Sequence, residues 1–206
     1  KTRKVTHQPS LSRTEIPKFL KGLNKYEGTL QTRLALRFLL LTFVRPGELR
    51  GARWEEIDLD AKEWRIPAKR MKMKTEHIVP LSKQAISVLE ELQSITGQYE
   101  LIFPGERSRH RPMSENTLLF ALYRMGYKNR ATPHGFRATA SSILNEQNFN
   151  RDAIERQLSH QERNQVRGAY THHAEYLKER KKIMQWWADY LEDMEHDTNV
   201  IKGNFN

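Results

Sequence analysis

Apolar residues recur at helical spacing near the start of the chain, and this pattern predicts two helices followed by a third short one. The first runs from residue 12 to about 24, and Ser12 and Glu15 have the spacing of an N-terminal capping box. The second, about 30–43, is apolar nearly all round and is therefore predicted to be buried. Pro46 ends this helix and suits the first position of a short new one. The predicted inner face of the first helix consists of Ile16, Phe19, Leu20 and Leu23.

The pattern then changes to short β-like runs between polar turns. These runs are residues 57–59, 63–66 and 77–80, and they predict a small antiparallel sheet. Its last turn contains the basic segment 69–74.

The remaining periodic segments predict helices to the end of the chain. Ser82 and Ser114 are expected to begin helices that reach about residues 95 and 125, and the later helices are expected at 133–146, 152–158, 164–173 and 175–194. The predicted fold is mostly α with a small antiparallel β-sheet, an α+β domain. We predict a linker at 1–11, one domain at 12–194 and a C-terminal tail at 195–206.

Charge and composition limit the function. The 206 residues include 35 basic and 25 acidic ones, giving a net charge of +10, so a polyanion such as nucleic acid is the expected partner. There are no cysteines, so disulfide and thiolate chemistry are excluded, and we expect a cytoplasmic protein. No apolar run reaches the roughly 18 residues of a membrane span. Because the chain opens on Lys1 and a basic segment, we interpret it as the C-terminal part of a longer protein.

Two segments carry candidate anion-binding residues. His134 and Arg137 are three residues apart at a predicted helix start, and they can share one face. An arginine fork and an imidazole can act on one phosphate. Arg45 stands where the buried helix ends, three residues before Glu48. Either the two form a structural ion pair, or Arg45 faces an anionic ligand with Glu48 holding it.

Three further residues could take part in chemistry. Lys72, in the basic turn, is either a solvated lysine or a proton donor to a leaving oxygen. Tyr170 follows His160 by ten positions, and a phenol with a pKa of about 10 becomes a nucleophile only among cations or beside a base.

Other features favour a structural reading. His172, His173 and Glu175 lack a metal-site spacing, so no metal is predicted. The aromatic residues of the last helix, namely Trp186, Trp187 and Tyr190, favour core packing over base stacking. Its basic residues, namely Lys178, Arg180, Lys181 and Lys182, are interpreted as a solvated face with a weak phosphate-contact role as the alternative.

Taken in order along the chain, these motifs resemble the catalytic domain of tyrosine recombinases, and most closely the integrases of prophages and genomic islands. The resemblance covers residues 10 to 192. Its motifs are Arg45-Pro46-Gly47-Glu48-Leu49, Lys72 before His77-Ile78-Val79-Pro80-Leu81, His134-x-x-Arg137, Leu158-Ser159-His160, Tyr170, and Trp186-Trp187-Ala188-Asp189-Tyr190-Leu191.

The resemblance implies a role for each site residue. Arg45, supported by Glu48, and Arg137 would clamp the scissile phosphate. Tyr170 would attack it to form a 3′-phosphotyrosyl bond, and Lys72 would protonate the leaving 5′-oxygen. His134 would assist proton transfer or bind the phosphate, and His160 would bind a non-bridging oxygen or Tyr170. No cofactor and no metal are implied.

Two assignments within this scheme have rivals. Lys72 is preferred to Lys74 and Lys69 because it stands eight residues before Pro80, as the resemblance requires. The gap from His160 to Tyr170 is one residue longer than in many relatives, so Tyr176 is a rival nucleophile. Residues predicted to contact DNA are Lys69, Arg70, Lys74, Arg107 and Arg109.

The resemblance also suggests partners. Relatives act as homotetramers on two DNA duplexes, so we expect a tetramer on DNA attachment sites, a monomer when free, and accessory DNA-bending and excision factors. Residues 195–206 are expected to dock on a neighbouring subunit. The alternatives are a type IB topoisomerase-like enzyme, which reseals the same strand, and a non-catalytic DNA-binding relative.

Overall fold

The predicted α+β fold is confirmed by a computed structural model of the protein, in which residues 8–72, 74–160 and 176–196 are described. The helices in these ranges are α1 Ile16–Asn24, α2 Leu30–Thr42, α3 Pro46–Arg50, α4 Lys83–Thr96, α5 Thr117–Arg124, α6 Gly135–Glu146, α7 Arg151–Gln157 and α8 Leu177–His196. The strands are β1 Ile57–Asp58, β2 Glu63–Ile66 and β3 His77–Pro80. The predicted helix at 164–173 and residue Glu175 lie outside the described residues.

The chain enters the domain through the predicted capping interaction. The backbone N–H of Ser12 donates to Glu15 Oε2 at 3.0 Å, which fixes a single 3₁₀ turn at Arg13–Glu15 before α1. The four apolar residues predicted for the inner face of α1 are all buried. Pro9 and Leu11, within the predicted linker, already contact α6 and its preceding loop, and the linker boundary itself stays a prediction.

Helix α2 crosses the core and ends close to the site. Ten of its residues are buried, as its all-round apolar pattern predicts. It stops at Phe43, whose φ of 39° lies in the left-handed region and turns the backbone sharply. Arg45 is then the residue before α3, which Pro46 opens as predicted.

The sheet is antiparallel with the strand order β1-β2-β3, as predicted. Trp64 of β2 pairs with Val79 of β3, is fully buried, and packs on Phe38 of α2 with 5.8 Å between ring centroids. This contact fixes the sheet on the helical core, so the turn between β2 and β3 is supported at both ends.

Helix α8 packs through its aromatic residues, and this confirms the core-packing interpretation for Trp187. The Trp187 side chain is fully buried, and its Nε1–H donates to the Leu40 carbonyl at 2.9 Å. Its ring meets Phe43 edge-on, with 6.3 Å between centroids. The last helix therefore supports the end of α2 that leads into the site.

The solvated-face interpretation of α8 is wrong for Arg180. This side chain is fully buried, donates from Nε to Gln157 Oε1 at 3.0 Å, and donates from Nη2 to the Ile78 carbonyl. The reason is that α8 packs against both α7 and β3 on this side. Lys181 remains exposed and pairs with Glu63 at 3.0 Å.

Other boundaries differ slightly from the predicted ones. Helix α5 begins at Thr117 and not at Ser114, because the chain at Met113 is still bonded to the Phe103 carbonyl (2.9 Å). Helix α8 continues to His196, two residues past the predicted end. Among the helices of the described ranges, none is long and apolar enough to cross a membrane.

Candidate active site

The start of α6 lies in close contact with the N-terminal segment around Pro9. His134 is the N-cap residue, and Arg137 lies in the first turn. The backbone N–H of Thr132 donates to the Pro9 carbonyl at 3.1 Å, and the Thr132 hydroxyl accepts from the Gly135 N–H at 3.0 Å. A Cβ at Gly135 would collide with the Pro9 carbonyl, so only glycine allows this approach.

Arg137 is held by main-chain carbonyls from two distant segments. Its side chain is buried, with Nη1 donating to the Phe43 carbonyl at 2.9 Å and Nη2 donating to the Leu158 carbonyl. These bonds join the end of α2, the start of α6 and the end of α7. The guanidinium is therefore oriented before any ligand binds.

Arg45 is held by the Glu48 carboxylate and by the Ser159 carbonyl, which follows directly after the Leu158 carbonyl that binds Arg137. Its Nη1 donates to Glu48 Oε1 at 2.6 Å, its backbone N–H donates to Glu48 Oε2 at 2.9 Å, and its Nη2 donates to the Ser159 carbonyl at 2.9 Å. The Glu48 side chain is buried, whereas that of Arg45 is 24% exposed. The structure thus shows the pair and also leaves one side of the guanidinium open to a ligand.

The segment 158–160 brings the two arginines together. Leu158 and Ser159 present successive carbonyls to Arg137 and Arg45, and His160 Nε2 lies 3.2 Å from Arg137 Nη2. Ser159 has a φ of 52°, in the left-handed region that non-glycine residues seldom adopt. Backbone strain of this kind, about 1–3 kcal/mol, is concentrated at functional sites.

The electrostatics favour an anionic ligand. Burial and the neighbouring Arg45 lower the pKa of Arg137 to about 10, so it stays cationic at neutral pH. Partial desolvation, together with Arg137, Arg45 and His160, lowers the pKa of His134, whose ring is at the exposed rim. At pH 7 the His134 imidazole is therefore neutral and can accept a proton, beside two cations that can bind phosphate oxygens.

Two other predicted catalytic residues remain, Lys72 and Tyr170. Lys72 lies exposed in the turn between β2 and β3, as do Lys69 and Lys74. Tyr170 lies outside the described residues. The rival Tyr176 is partly buried against the core, has a φ of 47°, and precedes α8 directly.

The residues predicted to contact DNA differ in their surroundings. Arg107 and Arg109 are exposed, with the Arg109 guanidinium 5.6 Å from the Tyr99 ring centroid. Arg70 instead turns inward and pairs with Glu56. Sequence reasoning missed this pair because 14 residues separate the partners.

The sequence analysis also missed His77, which is almost fully buried. The pKa of His77 is held well below its usual value by burial and by Arg180, Arg156, Arg137 and Arg45.

No group of three or more metal-ligating side chains occurs within residues 8–72, 74–160 and 176–196. His172, His173 and Glu175, which were considered as ligands, lie outside these ranges.

Comparison with known proteins identifies the family. A model of the phage integrase family matches residues 9–176, which is most of the chain. The chain belongs to the phage integrase family. The matched range contains Arg45, His134, Arg137 and His160. The resemblance of the sequence to tyrosine recombinases is therefore confirmed.

Two relatives and one solved structure show the extent of the similarity. The integrase of Enterobacteria phage P4 is 51% identical over 206 residues, covering 93% of this chain and 47% of the relative. Prophage integrase IntA of Escherichia coli K12 is 39% identical over 195 residues, covering 95% of this chain and 47% of the relative. A lambda integrase tetramer bound to a Holliday junction matches with a TM-score of 0.61 and 18% identity, covering 79% of this chain and 50% of that one. The chain thus spans about half the length of the curated relatives it matches.

Proposed function

We propose that this chain is the catalytic part of a site-specific DNA recombinase that integrates or excises a prophage or genomic island through a covalent 3′-phosphotyrosyl intermediate. The observation that carries the proposal is the convergence of Arg45 and Arg137 on the carbonyls of residues 158 and 159, beside His160. Two fixed guanidiniums with an adjacent imidazole match the needs of one phosphodiester. Phosphoryl transfer depends chiefly on positioned charge around the reacting phosphorus.

In the first proposed step, the Tyr170 oxygen attacks the scissile phosphorus and the bond to the 5′-oxygen breaks. The phenol proton passes to the His134 imidazole, whose lowered pKa keeps it unprotonated at pH 7 and so available as an acceptor. Lys72 Nζ gives a proton to the leaving oxygen, which departs as a 5′-hydroxyl. Arg45 and Arg137 stabilise the charge on the non-bridging oxygens.

In the second proposed step, the 5′-hydroxyl of a partner strand attacks the phosphotyrosine, and the bond from phosphorus to the Tyr170 oxygen breaks. Lys72 takes the hydroxyl proton, and His134 returns its proton to the Tyr170 oxygen. The phosphodiester count is unchanged, so no nucleotide and no metal is needed for the balance of bonds. His160 accepts from Arg137 at Nε2 in the free protein, and it donates to a phosphate oxygen once this contact is released and Nε2 carries a proton.

The proposed partners follow from the same reading. The net charge of +10 favours DNA, and the substrate is double-stranded attachment-site DNA in the bacterial cytoplasm. The lambda relative was solved as a tetramer on a Holliday junction, which supports a homotetramer on DNA here. Accessory DNA-bending and excision factors belong to the same proposal.

Covalent trapping tests the proposal directly. The chain, alone and fused behind the N-terminal half of the P4 integrase, is incubated without metal with nicked suicide duplexes of randomised core sequence. A protein–DNA adduct on a denaturing gel is the expected result. It should be lost in Tyr170→Phe and retained in Tyr176→Phe.

Three other results would contradict parts of the proposal. An adduct lost only in Tyr176→Phe would move the nucleophile to the rival residue. Relaxation of supercoiled DNA without strand exchange would favour a topoisomerase. DNA binding without any adduct from either protein would favour a non-catalytic relative.

A further inference from the structure

Arg70, which the sequence places among DNA-contacting residues, points into the protein. Its Nε and Nη2 donate to the two oxygens of Glu56 at 2.8 and 2.7 Å, a bidentate arrangement. The side chains of Arg70 and Glu56 are only 15% and 4% exposed. An arginine in this state has its fork occupied by protein and not by solvent.

The Glu56 carboxylate is itself fixed by two other donors. Trp64 Nε1–H donates to Oε2 at 3.0 Å from the centre of β2, and the Arg53 backbone N–H donates at 3.3 Å. Because Trp64 is fully buried, this carboxylate has little freedom to move. Arg70 is therefore tied, through Glu56, to the fully buried Trp64 of β2.

The third donor of Arg70 reaches the segment that carries Arg45. Its Nη1 lies 3.3 Å from the carbonyl of Glu48, the residue whose carboxylate holds Arg45. Gly51 leaves the room for this contact, because a Cβ there would collide with Nη1. One guanidinium thus connects the β2–β3 turn to the helix of the first catalytic arginine.

Lys72 follows Arg70 by two residues in the turn between β2 and β3. Arg70 ends a single 3₁₀ turn at Ala68–Arg70, and the next side chain, Met71, is buried in the core. The Met71 N–H also donates to the Ala68 carbonyl at 3.1 Å. Two successive anchored residues therefore set the backbone from which the exposed Lys72 projects.

We propose that Arg70 is a positioning residue, which sets Lys72 at a fixed place relative to Arg45 and so allows Lys72 to protonate the leaving 5′-oxygen. This inference rests on the proposed recombinase function. Removing one partner of a buried ion pair leaves the other charge uncompensated, so the test replaces Arg70 by lysine, which keeps the positive charge. Lysine cannot replace the arginine fork, because an ammonium group cannot make the bidentate contact with Glu56 and reach Glu48 together.

A change of leaving group separates positioning of Lys72 from general damage. The experiment uses the adduct-forming protein and suicide duplex, together with a duplex whose scissile 5′-oxygen is replaced by sulfur. A thiol has a pKa of about 8.5, so a thiolate departs without a proton donor, whereas an alkoxide needs one. Cleavage rates of both duplexes are measured for wild type, Arg70→Lys and Lys72→Ala.

We expect Arg70→Lys to slow cleavage of the oxygen duplex at least about tenfold and to cleave the sulfur duplex within about threefold of wild type. Lys72→Ala should show the same pattern. Gly51→Ala adds a methyl group that collides with Arg70 Nη1, so it should reproduce the pattern of Arg70→Lys. It serves as the second variant should Arg70→Lys fail to fold. Arg65→Lys is the matched control, since Arg65 lies on the same sheet, is 47% exposed and pairs with Glu63, and both of its rates should be unchanged.

Two outcomes would overturn the inference. One is Arg70→Lys and Gly51→Ala slowing both duplexes equally, which would mean a structural role or an effect on the arginine clamp. The other is unchanged cleavage of the oxygen duplex in both variants. Failure of the proposed function is distinguishable, because wild type itself would then cleave neither duplex.

Discussion

Arg137 Nη2 lies 3.2 Å from His160 Nε2, and on the other side of the ring His160 Nδ1 lies 2.8 Å from Glu155 Oε2. Arginine can only donate, so Nε2 must accept and the ring proton must be on Nδ1, where it donates to Glu155. This pair of contacts assigns one neutral tautomer to His160 in the free protein. A bound phosphate that takes the Arg137 donor would release Nε2 for a second role.

The tautomer of His160 can be measured. In ¹⁵N-histidine NMR spectra at pH 8, His160 should be mainly the Nδ1–H form in wild type. In Glu155→Ala the Nε2–H form should gain population, because one of the two contacts that select Nδ1–H is gone and only the Arg137 donor at Nε2 remains. Glu90→Ala, on the exposed side of α4, is the control. Equal tautomer populations in wild type and Glu155→Ala would contradict the assignment.

Glu48→Gln should slow formation of the covalent adduct. The neutral amide keeps the shape but removes the charge that holds both the side chain and the backbone N–H of Arg45. Loss of a charge-assisted hydrogen bond costs about 1.5–3 kcal/mol, which corresponds to an adduct formation rate lower by roughly 10- to 100-fold. The measurement is single-turnover adduct formation on the suicide duplex.

The matched control for this substitution is Glu115→Gln. Glu115 also pairs with an arginine, Arg50 at 3.0 Å, but its side chain is 83% exposed. Surface ion pairs contribute little, so its rate should stay within about twofold of wild type. Similar rates for the two variants would mean that Glu48 does not orient Arg45.

The stability of the protein should depend on pH through His77. The pKa of His77 is lowered in the folded state. Between this lowered pKa and about 6.5, the unfolded chain therefore binds a proton at His77 that the folded protein does not bind. The contribution of His77 to stability is therefore fully present above pH 6.5 and is lost as the pH is lowered. At pH 5.5 this one group should lower the free energy of unfolding by on the order of 1 kcal/mol relative to pH 7.5.

Urea unfolding at pH 7.5 and 5.5 measures this effect. His77→Gln has no titrating ring, so its loss of stability between the two values should be smaller by about 1 kcal/mol. His134, whose pKa is also lowered, contributes in the same direction to both proteins and cancels in the comparison. An equal pH dependence in the two proteins would show that His77 is not kept neutral.

Trp187→Phe should destabilise the fold more than Trp186→Phe. The first substitution removes the hydrogen bond to the buried Leu40 carbonyl and leaves this group unpaired, at a cost of about 1–3 kcal/mol. Trp186 is only partly buried and stacks on Tyr190 with 5.1 Å between ring centroids, a contact that phenylalanine can largely keep. Midpoints of urea unfolding for the two variants provide the test, and equal shifts would contradict it.

Local patterns predicted the elements well where neighbouring residues decide the outcome. The inner face of α1 and the paired strands 63–66 and 77–80 follow from side-chain periodicity, which depends only on backbone geometry. The capping contact between Ser12 and Glu15 is likewise local. The start of α5 was wrong by three residues, because a backbone contact between Met113 and Phe103 overrides the signal of Ser114.

The candidate site was likewise predictable only in part. The motifs around Arg45, His134, Arg137 and His160 could be found from the sequence, since residue type and order carry the family resemblance. Their partners could not be found, because the Phe43 carbonyl reaches Arg137 across 94 residues and the Ser159 carbonyl reaches Arg45 across 114. Main-chain carbonyls have no residue type and leave no mark in a sequence pattern.

By itself, the sequence determined the helical and β segments, the basic charge and the set of candidate phosphate-binding side chains, because each depends on residue identity and short spacing. Only the tertiary structure decided which charged residues face inward. Arg70 and Arg180 look like surface residues on a basic turn and a charged helix, yet both are enclosed by partners that lie far away in the chain. Burial of a charge depends on what packs over it and not on its neighbours in sequence, so the fold alone turned Arg70 from a candidate DNA contact into a link between the sheet and the first arginine.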